Sequence, residues 1–195
     1  MRLFVAVSVG DQVREAAARA RSRIEAGLQQ IRGEPPRIVW VAAQGLHLTL
    51  RFLGEPPDER VPAIAAAIQE PLPVAPFSVT WHGLGAFPSP RHPRAIWVGV
   101  TDGARALGLL EREISRRVGG LLPGEDLTEA KPFHPHLTLA RVKTESNRVN
   151  WSAILADAAV TGVASPVTHV TLYRSRGLPG GAGYEELCRG HLTGC

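Results

Sequence analysis

The chain has 195 residues, 44% of them hydrophobic, enough for a soluble globular protein with a sizeable core. Its net charge is +4 with a pI near 9.7, and of its 22 basic residues only Lys131 and Lys143 are lysines. Arginine forks suit an anionic partner, although an Ala-, Gly-, Pro- and Arg-rich composition also arises from genomic base bias.

Cys188 and Cys195 both fall in the last eight residues and form no Cys-x-x-Cys. That argues against a disulfide framework and for a reduced, cytoplasmic setting. No apolar run is long enough for a membrane span, and the opening "MRLFVAVSVG" alternates like a strand rather than leading to a cleavage site.

"RLFVAVSV" predicts a first strand. From Asp11 the period changes: Val13, Ala17, Ala20, Ile24, Leu28 and Ile31 step by three or four, an amphipathic helix ended by Gly33 and "EPP". "RIVWVA" (37–42) predicts a strand, and the stretch "LHLTLRFLGE" (46–55) another. Pro56 and Pro57 open a helix over 61–70. "FSVTWHGLGAF" (77–87) and "AIWVGV" (95–100) predict strands joined by a Pro-rich loop carrying Arg91 and Arg94. A third helix follows Asp102, with Leu107, Leu110, Ile114 and Val118 on one face. After a loop at 119–135 comes a strand on "PHLTLARVK" (135–143), then a short helix on "VNWSAILADA". A hairpin of 167–176 and 184–192 around "GLPGGAG" closes the chain. Eight strands and four helices in this order predict an α+β fold rich in antiparallel pairing, within one undivided domain over 1–195.

The tetrapeptide His-Leu-Thr-Leu occurs twice, at 47–50 and 136–139. On a strand, side chains alternate between faces, so Leu46, Leu48 and Leu50 point to a core while His47 and Thr49 point outward. The second copy does the same with Leu137 and Leu139 inside, His136 and Thr138 outside. An imidazole exchanges protons near neutral pH, and a hydroxyl beside it can hold an anionic oxygen. Two such pairs across a groove would supply an acid, a base and two oxyanion contacts, a set suited to in-line displacement at phosphorus without a metal. A single His-x-Thr carries almost no information; a second copy in the same leucine phase carries much more.

Those paired motifs resemble the 2H phosphoesterases, in particular the RNA 2′,3′-cyclic phosphodiesterases. The likeness extends to "MRLFVAV", "WVAAQGLHLTLRFLGE", "FPSPRHPRAIWVGV", "KPFHPHLTLARVK" and "LYRSRGLPGGAGYEEL", and so to residues 1–187. It implies a bilobal α+β fold: two antiparallel sheets related by a pseudo-two-fold, facing a central cleft, with helices outside. It also implies hydrolysis of a terminal ribose 2′,3′-cyclic phosphate to a 2′-phosphate. Carried over, His47 becomes the proton donor and His136 the proton acceptor, while Thr49, Thr138 and Arg141 hold the phosphate. No cofactor or metal is implied; the partner is RNA with cyclic phosphate ends, including tRNA fragments, acted on by a monomer. "AAQG" departs from the usual approach to the first motif, and "CRGHLTGC" lies outside the likeness.

Arg141 conflicts with simple alternation. Five residues past His136 it falls on the opposite face, and reaches the cleft only if the strand bulges or ends near Ala140. Arg51 has the parity of His47 and Thr49. His47, His134 and His136 also form a candidate metal set, weakened by Pro135 and by the lack of a carboxylate. His82, His92, His169 and His191 stand alone. Ser175 has no nucleophile elbow, and there is no P-loop or dinucleotide fingerprint. The four tryptophans, Tyr173 and Tyr184 read as packing residues, with Phe87 or Phe133 as candidates to stack on a base. Competing functions are an RNA-end binding module, a reversible 2′-5′ RNA ligase and a phosphodiesterase of small cyclic nucleotides.

Overall fold

The computed structural model describes residues 2–122, 132–144, 146, 148–178 and 181–194. In chain order the elements are β1 (Arg2–Ser8), α1 (Asp11–Gln29), β2 (Ile38–Trp40), β3 (His47–Gly54), α2 (Val61–Gln69), β4 (Phe77–Ser89), β5 (His92–Val100), α3 (Ala104–Val118), β6 (Leu137–Val142), α4 (Trp151–Asp157), β7 (Val163–Val167), β8 (His169–Leu178) and β9 (Gly181–His191). They form two sheets, one in the order β3-β1-β8-β9 and the other in the order β2-β6-β5-β4-β7. All neighbours are antiparallel. No helix among the described residues is long and apolar enough to cross a membrane. The middle of the expected loop before the second motif (123–131) and the hairpin tip at 179–180 lie outside the described residues, as does Cys195.

The α+β expectation holds, with two corrections. Strand β7 is an addition to the expected elements, hidden in the sequence because Pro166 interrupts its pattern. It lies at a sheet edge, where a residue without an N–H is tolerated. Its Ser165 hydroxyl accepts a bond from the buried Trp81 indole at 2.8 Å. The expected Pro-rich loop shrinks to a turn at 90–91, since β4 and β5 stay paired through Pro88 opposite Pro93 and Ser89 opposite His92.

The sheets repeat one plan. Strand β1 leads through α1 to β3, its antiparallel neighbour, and β5 leads through α3 to β6 in the same way. The order β3-β1-β8-β9 matches β6-β5-β4-β7, with β2 added on the outer side of β6. Each connecting helix also crosses over. Helix α1 packs against β7 and α4 of the opposite sheet, and α3 packs against β3 and α2. Ile24 and Leu28 of α1 accordingly share a core cluster with Ile96, Ala140 and Trp151. Leu107, Leu110 and Ile114 of α3 share a larger one with Leu48, Leu50, Ile64 and Leu137. The entry to α3 needs glycine: Gly103 has φ 85°, and a Cβ there would come 2.6 Å from the Ser78 carbonyl oxygen.

One short connection brings the two motif strands together. Strand β2 pairs with β6, and just beyond it the Val41 N–H donates to the Leu139 carbonyl at 2.8 Å. A 3₁₀ turn, Ala43–Gly45, then swings the chain into β3. The first His-Leu-Thr-Leu therefore starts six residues after a bond to the second, and β3 and β6 are in contact.

Candidate active site

Both motif strands carry a β-bulge at the same place. Against β1, Arg51 pairs with Val5 and Thr49 with Ala6, so Leu50 is the extra residue. Against β5, Ala140 pairs with Ile96 and Thr138 with Trp97, so Leu139 is the extra residue. Each is the last residue of its tetrapeptide. An extra residue reverses the alternation downstream of it. Leu137, Leu139, Ala140 and Val142 are all buried, and Arg141 emerges exposed on the face of His136 and Thr138. In the first copy the bulge turns Arg51 inward, where it pairs with Glu111 of α3 at 3.6 Å. The parity expected for Arg51 is thus corrected, and Phe52 takes the outer place, directly opposite Phe4 and 67% exposed.

The two imidazoles are anchored alike. His47 Nδ1–H donates to the Gly45 carbonyl at 2.7 Å, and His136 Nδ1–H donates to the His134 carbonyl at 2.7 Å. A carbonyl can only accept, so the proton of each neutral ring sits on Nδ1 and its Nε2 carries the lone pair. Burial pushes the His47 pKa below the usual histidine value, while the bond to Gly45 pulls it partly back. Burial also lowers the pKa of His136; the bond to the His134 carbonyl raises it, and the charges of His134 and Arg141 lower it further.

Aromatic rings wall both histidines. Phe4 stacks on His47 at 4.8 Å between centroids, and Tyr184 stands edge-on to it at 5.0 Å. Tyr173 stacks on Phe4 at 5.4 Å and its hydroxyl lies 3.1 Å from Ser8 Oγ. On the other side, Phe87 meets His136 edge-on at 5.1 Å, and Trp97 lies 6.1 Å away. Trp97 fills the space over Gly85, where a Cβ would overlap its ring. Arg141 links the two halves: its charge reaches His136, and it opposes the rise that burial imposes on the Tyr184 hydroxyl. Tyr184 in turn touches His47.

Thr49 and Thr138 are half-buried beside their histidines, whereas Arg141 is exposed. Three of the rings assigned to packing, Tyr173, Tyr184 and Trp97, line the site, and so does Phe4, which the sequence reading does not single out. Periodicity marks such positions as core and says nothing of what they pack against. Trp81 and Trp151 are core residues as expected. Phe87 packs on His134 and His136, and His169 faces His191 at 6.1 Å across β8 and β9. Among the described residues, no group of three or more His, Cys, Asp or Glu side chains is placed to hold a metal ion. A surface hollow of about 390 Å³ lies elsewhere, between α1 and β2 around Leu28, Pro36 and Trp40.

Known proteins share this architecture. A family model described as the 2′-5′ RNA ligase superfamily matches residues 7–178. The chain is 34% identical to the RNA 2′,3′-cyclic phosphodiesterase of Thermus thermophilus, over all of this chain and 91% of the relative. Among solved structures, TT0787 of Thermus thermophilus superposes with a TM-score of 0.76 at 32% identity, covering 100% of this chain and 99% of the other. Escherichia coli LigT complexed with 3′-AMP gives 0.68 at 28% identity, covering 98% and 97%.

Proposed function

The chain belongs to the 2′-5′ RNA ligase superfamily, and from that premise we propose that it hydrolyses 2′,3′-cyclic phosphate ends of RNA with His47 and His136 as its acid and base. The observation that carries this reading is the pair of matching half-sites. Each offers one imidazole with Nδ1 tied to a carbonyl, one threonine two residues on, and a bulge that selects what lies beyond. The names of the relatives, RNA 2′,3′-cyclic phosphodiesterases from several bacteria and archaea, support the substrate class.

In the proposed reaction the cyclic phosphate sits between the two rings, its non-bridging oxygens held by Thr49, Thr138 and the Arg141 guanidinium. His136 Nε2 takes a proton from water as the water oxygen bonds to phosphorus. The bond from phosphorus to O3′ breaks in line, and His47 Nε2–H protonates that oxygen, leaving a 2′-phosphate and a free 3′-hydroxyl. Charge supports this division of labour. Arg141 and His134 both disfavour a proton on His136, as a base requires. His47 has aromatic walls and, among the described residues, no such cationic neighbour shifting it, so an incoming phosphate anion favours its protonated form. No step uses a metal.

The test is incubation of the protein with an oligonucleotide ending in a 2′,3′-cyclic phosphate, in the presence of EDTA. Formation of the 2′-phosphate supports the proposal. Loss of turnover with chelator, or tight binding of the cyclic end without product, overturns it.

A further inference from the structure

One hydroxyl lining the site is used by no step of the proposed reaction. Tyr184 stands opposite Ser175 of β8, on the edge strand β9. Its ring meets the His47 ring edge-on at 5.0 Å and the Phe4 ring edge-on at 5.2 Å. It also lies against Gly45, whose carbonyl anchors His47: a Cβ at Gly45 would come 3.4 Å from Tyr184 Cε2. The ring is thus set against three neighbours of the catalytic imidazole or the imidazole itself.

The hydroxyl is held by none of them. It makes no hydrogen bond to any described residue, whereas the Tyr173 hydroxyl of the same cluster lies 3.1 Å from Ser8 Oγ. Ring contacts alone would need only phenylalanine; a phenol that is 36% exposed also offers a donor to what enters the cleft. Burial raises its pKa above the usual tyrosine value, so it stays protonated, and the charge that acts on it is that of Arg141. Tyr184 therefore touches the ring assigned as the acid and feels the guanidinium assigned to the phosphate. The two half-sites also differ in donors. The second has Arg141 beyond its threonine, while the first has no cation there, because Arg51 is turned inward to Glu111. Tyr184 reaches that gap from β9.

Resting on the reading above, we infer that Tyr184 is a further catalytic residue: its hydroxyl donates a hydrogen bond to the non-bridging phosphate oxygen that Arg141 also holds. That bond strengthens as charge builds on the oxygen during attack by water, and a donor already fixed in place needs no reorganisation at that moment. The hydroxyl exchanges no proton with water or with O3′, so it acts on the rate and leaves the acid and base roles with His47 and His136.

The experiment measures kcat, KM and the pH profile of the wild-type protein and of Tyr184→Phe on a ribonucleoside 2′,3′-cyclic phosphate. It repeats the rates on the two diastereomers that carry sulfur in place of one non-bridging oxygen. Tyr184→Phe keeps the ring against His47, Phe4 and Gly45 and removes only the donor. Loss of one such donor costs about 10²–10³-fold in kcat, and a fall of that order is expected, with KM changed far less and both limbs of the pH profile in place. Sulfur accepts hydrogen bonds weakly, so one diastereomer is expected to slow the wild type much more than it slows Tyr184→Phe, while the other slows both alike. Wild-type kcat in Tyr184→Phe, a shifted His47 limb, or the same sulfur effects in both proteins would overturn the inference. A wild-type protein that hydrolyses no cyclic phosphate would instead sink the phosphodiesterase reading itself, so the two failures are distinct.

Discussion

The behaviour of the two imidazoles is set by the atoms within a few ångströms of them. Both pKa values are held below 6.5 by burial, so the kcat/KM profile on a cyclic phosphate is expected to be bell-shaped with its maximum on the acid side of pH 6.5. A pH series on the wild-type protein checks this. Removing Arg141 removes a charge that disfavours protonation of His136, so Arg141→Ala should shift the limb owed to His136 to higher pH and raise KM, while Arg141→Lys should restore the pH profile better than the KM. Replacing either histidine by alanine should cost about 10²–10⁴-fold in kcat, the range for a general acid or base, with little effect on substrate affinity. The chemistry of these residues was legible in the sequence because each histidine sits beside a threonine of like parity. Their aromatic surroundings were not: Phe4 and Tyr184 lie far along the chain from His47, and only the assembly of β1, β3, β8 and β9 into one sheet brings them there.

At the level of elements, the bulge is the feature that completes the site. A strand of strict alternation would put Arg141 in the core and Phe52 against α3; one extra residue in each strand exchanges the faces. The sequence shows the conflict at Arg141, since an arginine at an inward position needs an explanation. It shows none at Arg51 and Phe52, where polar-out and apolar-in is the ordinary pattern and therefore misleads. A bulge depends on the pairing partner, which one strand's sequence does not contain. Strand β7 was hidden for a related reason, its proline being acceptable only at an edge that the strand order defines. The hairpin β4–β5 offers a test of how far the walls of the site matter. A methyl group at Gly85 would overlap the Trp97 ring, which Phe87 and His134 hold in place. Gly85→Ala should therefore push Trp97 towards His136, costing about tenfold or more in kcat and about 1–3 kcal/mol in stability. Paired activity and urea-unfolding measurements would show both losses.

Over the whole molecule, α1 and α3 each pack against elements of the opposite half. All four tryptophans lie in β2, β4, β5 and α4, on the side of one sheet, whereas α3 packs against β3 of the other. Ile114→Ala should cost about 2–5 kcal/mol, and its effect should appear equally in tryptophan fluorescence and in far-ultraviolet circular dichroism, with coincident urea midpoints. Separate midpoints would mean that the halves unfold independently. The duplicated motif announces such a two-fold plan, while the crossing of α1 and α3 follows from packing and could not be read from either copy. The same two-fold plan underlies the central claim, that histidines from two sheets act on one phosphate. The most direct measurement is the rate of hydrolysis of an RNA oligonucleotide ending in a 2′,3′-cyclic phosphate, in EDTA, by the wild-type protein and by His47→Ala and His136→Ala. Conversion to the 2′-phosphate by the wild type, and its near-complete loss in both variants, is the expected result. Full turnover by either single variant would contradict it.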